Sequence, residues 1–316
     1  MVSYIAQGER FLIGMPLFRR PFDRRNALAR PAAPHDANVI ASLGYHAFRR
    51  YLTSSTEDIV DLMPHEPTAV LEYDGRIVAV AQAGWRMPPN AWLRAILVDS
   101  RVEASTALPL LIGQLHGLLS ARAVASLYIT LDEWSAPWLR GPLEKLGYQR
   151  VMDVVTYEKV GMDVPSSGNQ VVIVRQARAE DLQAVLRLDA LCFPTPWGKG
   201  EEILGPALIT APYFAVAEFS GEVIGYTYVT IHQAGLHAHL VRIAVSPAFQ
   251  GSAIGVRLLA DVVRFCHHRR IDLLTLNTQD YNVQAQRLYE WFGFRRTGEI
   301  QPVLGIEGIG QREHRS

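Results

Sequence analysis

Three stretches in the second half of the chain combine residue types and spacing suited to chemistry. In Gln250-Gly251-Ser252-Ala253-Ile254-Gly255, small residues stand where a helix begins, directly after an apolar segment ending in Val245-Ser246-Pro247. A helix start leaves N–H groups without acceptors and carries partial positive charge. Small side chains let an anion reach that backbone, and the best-matched ligand is a pyrophosphate; the same glycines could equally make a plain turn. Further on, "NVQAQRLYEWFGF" (Asn282 to Phe294) sets Asn282 at a helix start, where it can cap, and puts the phenol of Tyr289 on a stripe with Ala285, Leu288 and Phe292. Finally, His237 and His239 share one face of a strand, with His232 close in sequence. No acidic or cysteine partner is fixed by their spacing, so no metal site is expected, and a strand histidine can also be a hydrogen-bonded core residue.

These stretches need elements to position them. "QVVIVRQA" is a strand, a helix follows from Asp181, and "YFAVAEFSGEVIGYTYVTI" is a hairpin about Ser220-Gly221. The strand "AHLVRIAV", the helix after the glycines, the strand "DLLTLN", a helix from Asn282 and a strand from near Phe294 complete the half. The first half repeats this order: a helix over Ala37 to Tyr51, a hairpin about Asp74-Gly75, the strand "WLRAILV", the helix "ALPLLIGQLHGLL", the strand "ASLYITL" and a short helix ending at Gly147. Gly75 and Gly221, Val98 and Val245, and Gly147 and Gly293 lie 146, 147 and 146 positions apart. A constant offset marks a tandem duplication. The expected division is a first domain over 1–160, a linker over 161–169 and a second domain over 170–316. Opposite the glycines the first half has "RVEASTAL", opposite Tyr289 it has Leu143, and opposite Asn282 it has Ala136. The first copy keeps the scaffold and loses the site.

Bulk properties agree with a globular enzyme or binding protein. The 316 residues are 49% hydrophobic and 20% charged, with Lys+Arg and Asp+Glu both at 31, so no nucleic-acid or anionic-membrane partner is indicated. Cys192 and Cys266 make neither a disulfide framework nor a zinc pair and suit small buried hydrophobes. Glu9 and Arg10 break the N-terminal apolar residues, with Arg19, Arg20, Arg24 and Arg25 following, and no apolar run nears the roughly 20 residues of a membrane span. The expectation is a cytoplasmic protein.

A strand ending V-x-P, then Q-x-x-(G/A)-x-G opening a helix, then N-x-x-A-x-x-L-Y-x-x-x-G-F, resembles the paired signatures of the GNAT superfamily of N-acetyltransferases. The resemblance covers residues 170 to about 300 by motif and the first half by topology. It implies an α+β fold of two tandem GNAT units, each a mixed, mostly antiparallel sheet flanked by helices, with acetyl-CoA as co-substrate. On this resemblance the strand with Ile243, Ala244 and Val245 splays from "LLTLN", and pantetheine threads the gap. Backbone groups of Gln250, Gly251, Ser252, Ala253, Ile254, Gly255 and Val256 hold the pyrophosphate. Asn277, Asn282 and Ala285 meet the cofactor arm, and Tyr289, beside the sulfur, protonates the leaving thiolate. Ala253 occupies a position where glycine is usual.

Many relatives carry a glutamate where this chain has Asn277, which cannot accept a proton. His239, at a position where some relatives have a catalytic glutamate, is the candidate base, directly or through water, and Asp280 is a reserve. "LCFPTPW" (Leu191 to Trp197) is similar to a stretch of the ribosomal-protein alanine N-acetyltransferases, which implies that Phe193 and Trp197 line the acceptor groove; a rigid packed turn is the alternative. Glu201 and Glu202 could meet a cationic acceptor or simply open a helix. The two-copy layout is similar to mycothiol synthases. The activity implied is acetyl transfer to a primary amine, on a small molecule or a peptide N-terminus; the alternative is a catalytically silent acyl-CoA-binding sensor.

Overall fold

The computed structural model describes residues 22–232 and 235–310. Glu9, Arg10, Arg19 and Arg20, used above to argue against a leader, lie outside the described residues. The chain forms two compact units.

Unit 1 holds the described residues up to Gly84, then Ala91–Gln149 and the described residues from Gly305 to Gly310. Its strands run in the order β1 (Ala27–Pro31), β3 (Thr68–Tyr73), β4 (Arg76–Met87), β5 (Asn90–Val98), β6 (Ser126–Thr130), and β2 (Arg49–Leu52) pairs with β5. The helices are α1 (Ala37–His46), α2 (Thr56–Leu62), α3 (Ala104–Ser120) and α4 (Ala136–Lys145). The first helix is therefore shorter than expected, because Arg49–Leu52 pairs antiparallel with Ala95–Val98 and buries Tyr51. Unit 2 holds Arg150–Leu304 and the hairpin tip Trp85–Asn90. Its strand order is β7 (Gln149–Val160), β12 (Leu273–Gln279), β11 (His237–Val245), β10 (Glu222–His232), β9 (Tyr213–Phe219), β8 (Ile173–Gln176). Helices α5 (Leu182–Cys192), α6 (Glu201–Thr210), α7 (Ile254–His268) and α8 (Val283–Trp291) complete it, and β13 (Arg295–Glu307) is assigned to it as far as Leu304.

The two copies share details finer than topology. Arg30 grips Asp36 through two guanidinium nitrogens at 2.7 and 2.9 Å and bonds Glu72, while Arg175 grips Asp181 at 2.7 and 2.9 Å and bonds Glu218. The numbers 30 and 175, 36 and 181, and 72 and 218 differ by 145, 145 and 146, matching the offset of the glycine landmarks. Both hairpins turn through positive-φ pairs, Asp74-Gly75 and Ser220-Gly221, and α4 and α8 both stop at a positive-φ glycine, Gly147 and Gly293.

In unit 2 most neighbouring strands are antiparallel, but β11 and β12 are parallel. Helix α7 packs on this sheet through Ile254, Leu258, Leu259, Val262, Val263 and Cys266, all buried, one stripe at helical spacing.

Candidate active site

The sheet of unit 2 opens at one place. Tyr228 lies opposite Arg242 but Val229 lies opposite Leu240, so Val241 is an extra residue on β11. A bulge of this kind bends its strand. The parallel pairing of β11 with β12 covers only His237–Leu240 and Leu273–Leu276, and beyond the bulge the two strands part. Their facing backbone groups lose their ladder partners there and become available to a ligand.

The start of α7 stands at the same opening. Ala253, its N-cap, adopts φ +57° and ψ 24° and offers no side-chain cap, and Gly251 has φ +81°. The N–H groups of Gly251 to Val256, six in succession, have no protein acceptor among the described residues; the first intramolecular bond of the helix is Arg257 N–H to the Ala253 carbonyl at 3.1 Å. Asn169, ahead of β8, holds the loop, donating through its side chain to the Ser252 carbonyl at 2.9 Å and through its backbone to the Ala253 carbonyl at 3.1 Å.

A cavity of about 500 Å³ joins the strand opening to the helix start. Every residue expected to contact the donor lines it except Ser252, and the expected acceptor residue Phe193 lines it too. Asn282 spends its side-chain oxygen on the Ala285 N–H at 3.3 Å, capping α8, while still facing the cavity. Tyr289 is 6% exposed, its pKa is raised by burial, and no hydrogen-bond partner for its hydroxyl is found among the described residues. Its ring sits 6.1 Å from that of Tyr157 on β7, whose hydroxyl donates to Glu290 at 3.1 Å. Cys192 donates its thiol to the Val245 carbonyl at 3.3 Å, and burial pushes that thiol up to about 11.

A second cavity of about 390 Å³ adjoins the first, and Trp197 lines it together with Phe193. The segment carrying both is pinned from α5. Asp189, wholly buried, accepts from the Lys199 N–H at 2.7 Å, from Arg242 Nε at 3.1 Å and from the Tyr226 hydroxyl. Arg242 lies 3.7 Å over the Phe193 ring and also donates to the Trp197 carbonyl. Sequence reasoning missed this anchor, although a carboxylate within the apolar run Leu186-Arg187-Leu188-Asp189-Ala190-Leu191 was a visible sign of a buried polar contact.

His239 is placed differently. It lines neither cavity; its Nδ1 is 2.9 Å from Thr275 Oγ1 across the parallel pairing, and burial lowers its pKa to about 3. Lys199, brought down to about 7 by burial and by Arg242, also lies outside both linings. Among the described residues no group of three or more His, Cys, Asp or Glu is placed to hold a metal ion, and no helix is long and apolar enough to cross a membrane.

Two parallel strands parting beside a helix start rich in free amides, with a buried phenol facing the gap, have the form of an acyltransferase. The Acetyltransferase (GNAT) family matches residues 182–294. A Bacillus subtilis protein named for alanine N-acetylation of ribosomal protein bS18 is 31% identical over 127 residues, 40% of this chain and 82% of its own. The mycothiol acetyltransferase of Stackebrandtia nassauensis is 31% identical over 84 residues, 26% of this chain and 28% of its own. Among solved structures, a tandem GNAT protein from the clavulanic acid biosynthesis pathway shares the fold with a TM-score of 0.60 at 16% identity, covering 89% of this chain and 98% of its own. The chain belongs to the GNAT acetyltransferase family.

Proposed function

We propose that the chain moves an acetyl group from acetyl-CoA to a primary amine, on a small molecule or a peptide N-terminus, by direct attack of the amine. The observation that carries this is the run of six free N–H groups at the start of α7, beside small residues at 251, 252, 253 and 255, which fits a pyrophosphate. The unpaired edges of β11 and β12 suit an extended, amide-bearing arm. When bound, acetyl-CoA supplies an activated acetyl thioester. Tyr289 holds the proton that a leaving thiolate must receive, and burial keeps its phenol protonated. The same surroundings raise the Cys192 thiol, so a thiolate beside them gains basicity in the same sense. At about 11 Cys192 stays protonated at neutral pH and is not poised as a nucleophile, which favours direct transfer. With the His239 imidazole near 3 and off the cavity wall, the amine's proton passes to solvent instead.

The relatives point to different acceptors, a ribosomal-protein alanine for one and the mycothiol route for another. Thiol release from acetyl-CoA, followed over a panel of amines with Tyr289→Phe alongside, tests the proposal. Replacing the phenol should cost about 10²- to 10⁴-fold in kcat at unchanged coenzyme affinity. A fully active Tyr289→Phe protein sinks the acid role, and silence on every amine sinks the transferase.

A further inference from the structure

Building on that function, we infer that the acceptor is a weakly basic primary amine carried on an uncharged body. The cavity of about 390 Å³ shares Cys192, Phe193, Gln279, Asn282 and Gln284 with the donor cavity, so a molecule held in it borders the donor. Its polar walls are the amides of Gln279, Asn282 and Gln284, and its apolar walls include the rings of Phe193, Trp197 and Tyr281. Among the described residues none lining it carries a formal charge. Asp280, between Gln279 and Tyr281, is exposed and outside the lining. Arg242 lines only the donor cavity and is already bonded to Asp189 and the Trp197 carbonyl.

An acceptor bearing a carboxylate would find no cation in this lining to pair with, and a polyamine no anion. Side-chain amides both donate and accept, which matches hydroxyl or peptide groups, and the rings offer flat apolar faces. Amine basicity adds a second constraint. An alkylamine of pKa ~10.4 is only about one part in 2,500 neutral at pH 7, whereas an amine of pKa ~8 is about one part in ten neutral. With no carboxylate or imidazole among the described residues of either wall, the two cavities offer no strong base to cover that roughly 250-fold difference. In the transfer the N–C bond forms as the C–S bond breaks. One amine proton leaves to solvent, and the Tyr289 proton goes to sulfur and is recovered from solvent.

Two kinds of molecule carry such an amine, a neutral peptide with a free α-amine and an amino sugar, and both enter the test. At pH 7 the full chain is assayed with acetyl-CoA and each of an alanyl tripeptide amide, glucosamine, butylamine, spermidine and aspartate. At least one of the first two should exceed each of the last three about 100-fold in kcat/KM, and the better of the pair identifies the carrier. Equal use of butylamine, spermidine or aspartate overturns the inference and leaves the transferase standing. No turnover of any amine, with coenzyme binding intact by calorimetry, overturns both. Gln284→Glu adds a second test, since Gln284 is exposed in the first turn of α8, where a carboxylate suits the helix. It should raise the kcat/KM of spermidine relative to the neutral acceptors about 10-fold; no change means that the groove does not select the acceptor.

Discussion

The starts of α3 and α7 are corresponding places in two copies of one fold, and they differ in what they leave free. Five residues, 99–103, separate β5 from α3, and eight, 246–253, separate β11 from α7. The shorter connection has no glycine and ends in Glu103, an N-cap residue that brings negative charge to the helix start. The longer one ends in two positive-φ residues, Gly251 and Ala253, with Ser252 between them, and leaves a run of amides bare. The second helices diverge in the same sense. Leu143 is fully buried in unit 1, whereas its counterpart Tyr289 brings a hydroxyl to a cavity wall. Features that hold the fold, the Arg–Asp–Glu clusters and the glycine stops, survive in both copies. A run of six free amides, against three at Glu103–Ser105, and a buried phenol with no partner among the described residues do little for the fold, and only the second copy has them.

If the scaffold is common to both, its clusters should matter equally. Asp36 and Asp181 are 3% and 5% exposed, and their arginines hold both carboxyls below the ordinary carboxylate range. Asp36→Asn and Asp181→Asn should each cost about 3 kcal/mol in urea unfolding, because each leaves a partly buried guanidinium without its main partner. The sign with pH follows from the lowered pKa values: the stabilisation is present above the unfolded carboxylate range and lost as pH falls through the folded values. A large loss in one copy and none in the other would break the idea of a shared scaffold.

The next test transplants the difference. Ala253→Glu gives the second copy the N-cap residue of the first and points a carboxylate at the bare amides. Coenzyme A affinity by calorimetry should fall about 100-fold, through like-charge repulsion and competition for the same donors. Retained affinity would mean that the amides are not what separates the two copies.

Much of this contrast was legible in the sequence, because it rests on local signals. The glycine landmarks of each copy, the helix opening at Ile254, the cap at Asn282 and the place of Tyr289 are each fixed by residues near in sequence. The bulge at Val241 was not legible: no glycine or turn residue marks it, and it exists only through the register that β10 imposes on β11. Nor was β7, the stretch "QRVMDVVTYEKV", seen as a strand, and its pairing with β12 is a long-range choice that periodicity does not encode. His239 shows the same limit from the other side. Its type and position suggested a base, but its burial and its contact with Thr275 depend on a neighbouring strand.

The smallest expected effect concerns Ala253, where the second copy itself departs from the family's usual glycine. A non-glycine residue at φ +57° carries about 1 kcal/mol of strain. Glycine would remove that strain, but its extra freedom in the unfolded chain returns about 0.4–1 kcal/mol. Ala253→Gly should therefore leave stability within about 0.5 kcal/mol of the parent, read from urea unfolding. Binding is the more informative quantity. The Ala253 methyl group stands beside the bare amides, so removing it should leave coenzyme A affinity unchanged or tighten it a few-fold in calorimetry. A clear weakening would mean that alanine, by holding the left-handed turn more rigidly than glycine can, keeps the amides aimed, and the second copy would then owe its site to that residue's stiffness as much as to its small size.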